Sequence, residues 1–206
     1  MFSENMAMTM ICACAELTNK NILGIPSQHP MRTLLIAFLA LTSVASAQTE
    51  YEISTSDWPA ATYIGHRDTV AIAELSSFFG EHMPVAFQAV LGAGLAPAGS
   101  ATGLYWSYDE TVGTTDVAVA EAFEGEQPDN LPDGFEIIKV ADAQVLSTDF
   151  YGSYDGLSEA HEAIDAYMQA EEIETAFLVV EEYITNPQSE PDSSKWLTRI
   201  HYLVPR

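Results

Sequence analysis

Residues 177 to 184 alternate in a way that sets chemistry on both faces of a strand. Phe177, Val179, Glu181 and Tyr183 share one face; Leu178, Val180, Glu182 and Ile184 share the other. Both faces are mostly apolar, so at least one of the two carboxylates is expected in poorly solvated surroundings. Such a group is costly unless paired, and a cationic ligand can supply the pair. Tyr105 and Trp106 lie in another strand-like segment, and aromatic faces attract cations and flat organic molecules, at ~0.5–2 kcal/mol per well-placed contact. Glu181, Tyr183, Tyr105 and Trp106 are therefore the candidate ligand-binding residues, with Glu182 behind Glu181 and with Trp196 and Tyr202 as weaker candidates.

Other chemistries find little support. His66, His82, His161 and His201 show neither H-x-H nor H-E-x-x-H spacing, so neither a metal nor a haem is expected. His161 lies on an apolar helical stripe and reads as satisfied core, while His201 alternates with Arg199 and reads as solvent-facing. Gly92, Gly94 and Gly99 lack the Lys-Ser/Thr that follows a phosphate loop, and no serine-hydrolase signature is present. Cys12 and Cys14 form a C-x-C without further ligands at metal spacing. No cofactor is expected.

The elements that must position these residues read as strand, helix, strand, strand, twice over. Residues 62–70 suggest a strand. Leu75, Phe79, Met83, Phe87 and Val90 recur at helical spacing, with a kink or restart expected at Pro84. Residues 92–99 end that helix, and residues 103–108 and 115–123 read as strands. The loop GEQPDNLPDG, 125–134, is the midpoint connector. Residues 135–150 are extended with a break near Ala141-Asp142, and Leu157, Ala160, His161, Ile164, Tyr167 and Met168 trace one face of a second helix. Strands at 177–185 and 196–204 follow, separated by the loop NPQSEPDSS, while residues 48–59 form a polar lead without periodicity.

Laid over each other, the halves (about 62–124 and 135–206) align Gly103 with Glu181 and Tyr105 with Tyr183. Two such units imply an α+β fold: pseudo-symmetric strand-helix-strand-strand units forming antiparallel sheet, helices on one face, and a groove where the units meet.

The first part of the chain reads differently. Residues 34–41, LLIAFLAL, follow Arg32 and precede Ala45-Ser46-Ala47, the three parts of a secretory signal peptide. Export with cleavage after Ala47, to the periplasm or beyond, is expected. Met31 reads as the initiator, residues 1–30 as an over-called gene start and 31–47 as the leader. Glu4, Glu16, Lys20 and Arg32 cancel, so the net charge of −23 falls entirely on the residues from Gln48 onward. That excess argues against DNA, RNA and anionic lipid surfaces as partners and favours cations.

The residues from about Tyr63 onward resemble the GyrI-like (gyrase-inhibitor-like) small-molecule-binding domain, also the effector-binding domain of AraC-type and MerR-type multidrug regulators. Gly152-Ser153-Tyr154 with Leu157 is similar to the family's G-x-Y-x-x-L helix entry. Glu181-Glu182-Tyr183 with Asn186-Pro187 is similar to its E-x-Y-x-x-D-P, Asn standing for the usual Asp. Thr198-Arg199-Ile200 and Val204-Pro205 match a T-x-I strand and closing V-P, and Pro97-Ala98-Gly99 and Thr115-Asp116-Val117 match more weakly. The resemblance implies a groove lined by aromatics and by a buried glutamate, here Glu181, that meets lipophilic cations. It also implies an alternative on the same scaffold: a hydrolase of small strained electrophiles, with Glu181 as general base and Tyr105 or Tyr183 orienting the substrate.

Overall fold

A computed structural model describes residues 51–206 apart from Thr175, Phe177 and Arg206. The residues read as a leader, the stretch upstream of them and Phe177 lie outside the described residues. The elements, in order, are β1 (Ser54–Trp58), β2 (Ala61–Ala71), α1 (Leu75–Gly92), β3 (Ala96–Pro97), β4 (Ala101–Asp109), β5 (Thr114–Glu124), β6 (Phe135–Val140), β7 (Ala143–Tyr151), α2 (Leu157–Ala170), β8 (Leu178–Tyr183) and β9 (Leu197–Val204). Each helix continues directly from one 3₁₀ turn, Ile72–Glu74 before α1 and Tyr154–Gly156 before α2.

All the strands pair antiparallel in one sheet of order β1-β7-β9-β8-β4-β5-β2-β6, with the short β3 beside β5. The order is a palindrome about the β8·β4 pair, where Glu181 stands opposite Gly103. The two units expected from the sequence are thus related by a pseudo-twofold through the middle of the sheet. One departure is β1, which turns the lead into an edge strand paired with β7, Ser54 opposite Ser147 through Trp58 opposite Ala143. Five residues ending in a Trp that packs on the core are too short to show a period.

Both helices cover the same face. There Val117, Val119 and Phe78 form one cluster, Ile64, Val90 and Phe123 another, and Leu146, Ile164, Ile200 and Tyr202 a third under α2. The opposite face carries Leu104, Ala118, Ala120, Val145, Val180 and Leu203 together with Ile138 and Val140. Because β6 and β7 lie far apart in strand order yet share this cluster, the sheet curls around it.

α1 runs unbroken through Pro84, which is exposed, so the lost backbone bond is on the wet side. Its buried face is set by Phe78, Ala86 and Val90, whereas Phe87 is 41% exposed. The spacing reading took the larger apolar residue one position past the small one that the close approach to the sheet requires.

Candidate functional site

Along the helix-covered face of β8, strand alternation brings Val179, Glu181 and Tyr183 up together. Glu181 is only 6% exposed, under the two helices and at the pseudo-dyad. Its neighbour across the strand boundary is Gly103, and the reason for a glycine is steric. A Cβ there would stand 2.9 Å from Cε2 of Tyr105 and 3.0 Å from Cζ of Phe79. The missing side chain lets a ring from β4 and a ring from α1 close over the carboxylate.

The carboxylate accepts three hydrogen bonds. The Tyr183 hydroxyl donates to Oε2 at 2.6 Å and the Tyr105 hydroxyl to the same oxygen at 3.2 Å. Nε2 of His161, from α2, lies 2.9 Å from Oε1, and its Nδ1 lies 3.0 Å from the Tyr202 hydroxyl. Burial pushes the Glu181 carboxyl up, but the hydrogen bond and charge of His161, with the two phenols, outweigh it and hold the group below the ordinary carboxylate range. The expectation of a carboxylate among apolar neighbours is thus incomplete: the neighbours include one imidazole and two hydroxyls that satisfy it. Burial, and then the charge of Glu181, raise Tyr105 and Tyr183 well above an ordinary phenol, so both remain donors.

Aromatic rings lead from this anion toward solvent. Phe79 stacks on Tyr105 at 6.2 Å and meets Tyr183 edge-on at 5.7 Å. Tyr154 meets Tyr183 at 5.4 Å and Trp196 at 5.1 Å, and Tyr154 is among the exposed large side chains. The helix-entry motif holds Tyr154 in place. A Cβ on Gly152 would fall 2.8 Å from the Phe150 ring, and the Gly152 amide donates to the Trp196 carbonyl at 3.0 Å.

Three of the four residues singled out from the sequence, Glu181, Tyr183 and Tyr105, are thus brought together. Trp106 is not. Strand alternation turns Trp106 to the face opposite Tyr105, where it packs on the core with the Arg67 guanidinium 3.7 Å from its ring centre. His161, read as core, is a direct partner of Glu181. Counted from the start of each helix, it occupies the place that Phe79 holds in the first half. The signal for it was a lone polar residue on the α2 stripe facing a lone acid on an apolar strand face. His201, read as solvent-facing, is 6% exposed. Its Nδ1 lies 2.7 Å from Ser147 Oγ and its Nε2 2.9 Å from Glu182 Oε2. The two adjacent glutamates therefore serve opposite faces, each with its own histidine. Among the described residues no group of three or more His, Cys, Asp or Glu side chains is placed to hold a metal ion.

The family model for the GyrI-like small molecule binding domain matches residues 49–204. The chain belongs to the GyrI-like family. This GyrI-like domain is similar in fold to the C-terminal domain of EcmrR, with a TM-score of 0.67 at 20% identity, over 76% of this chain and 98% of that one. In the EcmrR–DNA complex it covers 58% of the longer chain, at a TM-score of 0.66 and 20% identity over 76% of its own length. SAV2435, solved bound to tetraphenylphosphonium, matches with a TM-score of 0.54 at 16% identity, over 75% of this chain and 93% of that one. A hydrolase from Listeria innocua matches at 0.53 and 10%, over 74% and 91%. At these identities the likeness is one of fold. No curated protein sequence matches the chain.

Proposed function

We propose that this GyrI-like domain is an exported binder of lipophilic organic cations, which it takes up against Glu181 between α1 and α2. The observation that carries the reading is a buried carboxylate kept ionised at the head of a row of aromatic rings. Ring faces and a desolvated anion favour the same ligand, one apolar in body and positive in charge. His161 and the two phenols occupy lone pairs of Glu181 and fix its direction, leaving the cation to be met mainly by charge and by Phe79, Tyr105, Tyr183 and Tyr154. SAV2435 holds such a cation, tetraphenylphosphonium, on a similar fold.

Export rests on the sequence pattern of residues 31–47, and the acidic surface suits a partner of opposite charge. In a Gram-negative host the soluble periplasmic product should begin at or near Gln48; a product retaining Met31 would remove the export reading.

Hydrolysis with Glu181 as general base is the second reading, prompted by the hydrolase from Listeria innocua on a similar fold. The site argues for binding over it. A carboxylate held below its ordinary range is a weak base, and phenols raised above theirs are weak acids. The deciding experiment is titration calorimetry with tetraphenylphosphonium and with neutral triphenylphosphine oxide. Glu181→Gln should weaken the cation by roughly 10- to 100-fold, about 1–3 kcal/mol, and leave the neutral molecule unchanged. Equal losses for both would mean disturbed packing; no loss would place Glu181 outside the binding site.

A further inference from the structure

Glu181 is one end of a longer chain of polar groups. Nε2 of His161 lies 2.9 Å from its Oε1, and Nδ1 of the same ring lies 3.0 Å from the Tyr202 hydroxyl. That hydroxyl hydrogen-bonds in turn to Asp165, four residues after His161 on α2. The spacing sets His161 and Asp165 on one face of the helix, so both reach Tyr202 of β9. Burial pushes the Asp165 carboxyl up, while the charge of His161 and the Tyr202 hydrogen bond pull against it. Asp165 is half-buried, so the chain that starts at the closed-off Glu181 ends at the edge of solvent.

Counting protons along this chain fixes the state of the ring. A phenol has a single hydroxyl proton, and an ionised carboxylate only accepts. With its proton given to Asp165, Tyr202 offers Nδ1 a lone pair, and Oε1 of Glu181 offers Nε2 another. Both ring nitrogens face acceptors, so both donate, and His161 is an imidazolium. The other titratable groups around it are the phenols of Tyr105 and Tyr183, across Glu181, and Glu162, beside Asp165 on α2. Arg67, Arg199 and Lys195 pair with Asp116, Asp149 and Asp192, and Lys139 lies on the far edge strand β6. Glu121, the other buried acid on the helix-covered face, lies between Val119 and Phe123 under α1 instead. The pair at the dyad is thus neutral as a unit, and a second cation brought to Glu181 is repelled by the first.

We propose that His161 is the resident cation of this site, that an organic cation binds at Glu181 by displacing its proton, and that Tyr202 and Asp165 are the positioning residues for that exchange. This rests on reading Glu181 as a cation site and adds how the site is regulated. The step balances. The proton on Nδ1 passes to the Tyr202 oxygen, the hydroxyl's own proton passes to Asp165, and Asp165 yields it to water. Tyr202 ends as a neutral phenol donating to Nδ1, while the Nε2 proton still holds Glu181. One cation enters as one proton leaves, so the buried charge is unchanged. Affinity for cations therefore rises with pH while His161 is charged in the empty protein, by up to roughly tenfold per pH unit. A neutral ligand displaces nothing and binds without this dependence.

The test is titration calorimetry of the purified protein with tetraphenylphosphonium at about pH 6, where an ordinary histidine is mostly charged. Runs in phosphate and in bis-Tris, which differ in ionisation enthalpy, count the protons exchanged. The wild type should release roughly one proton per cation bound, and none with neutral triphenylphosphine oxide. Asp165→Asn and Tyr202→Phe each break the chain beyond His161 and leave Glu181 and its phenols in place. In either variant the release should fall by at least about half, and the rise of affinity with pH should flatten with it. Cation binding without proton release in the wild type overturns the proposal and leaves the Glu181 reading standing. Equal release with the phosphine oxide overturns it as well, since the proton then follows filling rather than charge. Release that survives both substitutions does the same, because the proton then leaves from another group. If tetraphenylphosphonium does not bind the wild type, both readings fall together.

Discussion

Nε2 of His161 and Oε1 of Glu181 stand 2.9 Å apart, and both side chains are nearly closed off from water. The pair joins α2 to the centre of the sheet, across the interval where the pseudo-dyad leaves a glycine in the other half. Removing one partner of a buried pair leaves the other unsolvated, so His161→Ala should cost on the order of 3 kcal/mol in urea denaturation at neutral pH. Because Glu181 is held below its unfolded value, its contribution is full above the ordinary carboxylate range and is lost as pH falls through the lower folded value. In His161→Ala only the phenols oppose burial, so this acid-side loss should shrink. An unchanged pH dependence would reduce His161 to a packing residue.

Glu121 has the opposite sign. Its folded carboxyl is raised from 4.5 to about 7, so the folded state holds its proton more tightly than the unfolded chain. Stability is therefore highest below the ordinary carboxylate range and is lost as pH rises through about 7, by roughly 3 kcal/mol in all. Glu121→Gln should flatten this slope and be more stable than wild type at about pH 8 in denaturant titrations. An identical slope in the two proteins would show that Glu121 stays solvated.

Gly103→Ala should cost about 1–3 kcal/mol, because its Cβ meets two rings that the surrounding core holds in place. Thermal unfolding reads the loss. Cation affinity should fall with it, since Tyr105 and Phe79 are the groups displaced. A variant as stable as wild type would mean that the rings have free space to withdraw.

Glu182→Gln separates the two faces of the sheet. Glu182 is bonded to His201 on the face away from the helices, so the substitution should cost about 1 kcal/mol of stability. Affinity for tetraphenylphosphonium should not change. A weakened cation would show that charge on the far face reaches the groove.

Much of this was legible in the sequence because strands alternate and the halves repeat. Alternation alone separated Glu181 from Glu182, and the repeat alone paired Tyr105 with Tyr183 and Gly103 with Glu181. Register and irregularity were not legible. The bulge between Tyr105 and Ser107 shifts the register against β5, and no residue type there announces it; the face of Trp106, opposite Tyr105, follows from alternation and was overlooked. His201 was misread, and the partner of the satisfied core residue His161 went unseen, because a histidine's environment depends on a partner 19 or 20 residues away in sequence, brought close only by the sheet. Glu121 sits in TDVAVAEAFE, a run that alternates as a half-exposed strand does; its burial comes from α1, which the strand's own pattern does not encode.

The outermost strands bind the halves in a further way. β1 leads directly into β2 yet pairs with β7, and β6 leads into β7 yet pairs with β2. Each half thus lends its first arm to the other, as subunits do in a domain-swapped dimer, here within a single polypeptide. Neither half owns a complete sheet, so each leaves a strand edge unpaired when the other is removed. The chain should melt as one cooperative unit, and a separately produced half should find its missing arm only in a second copy of itself.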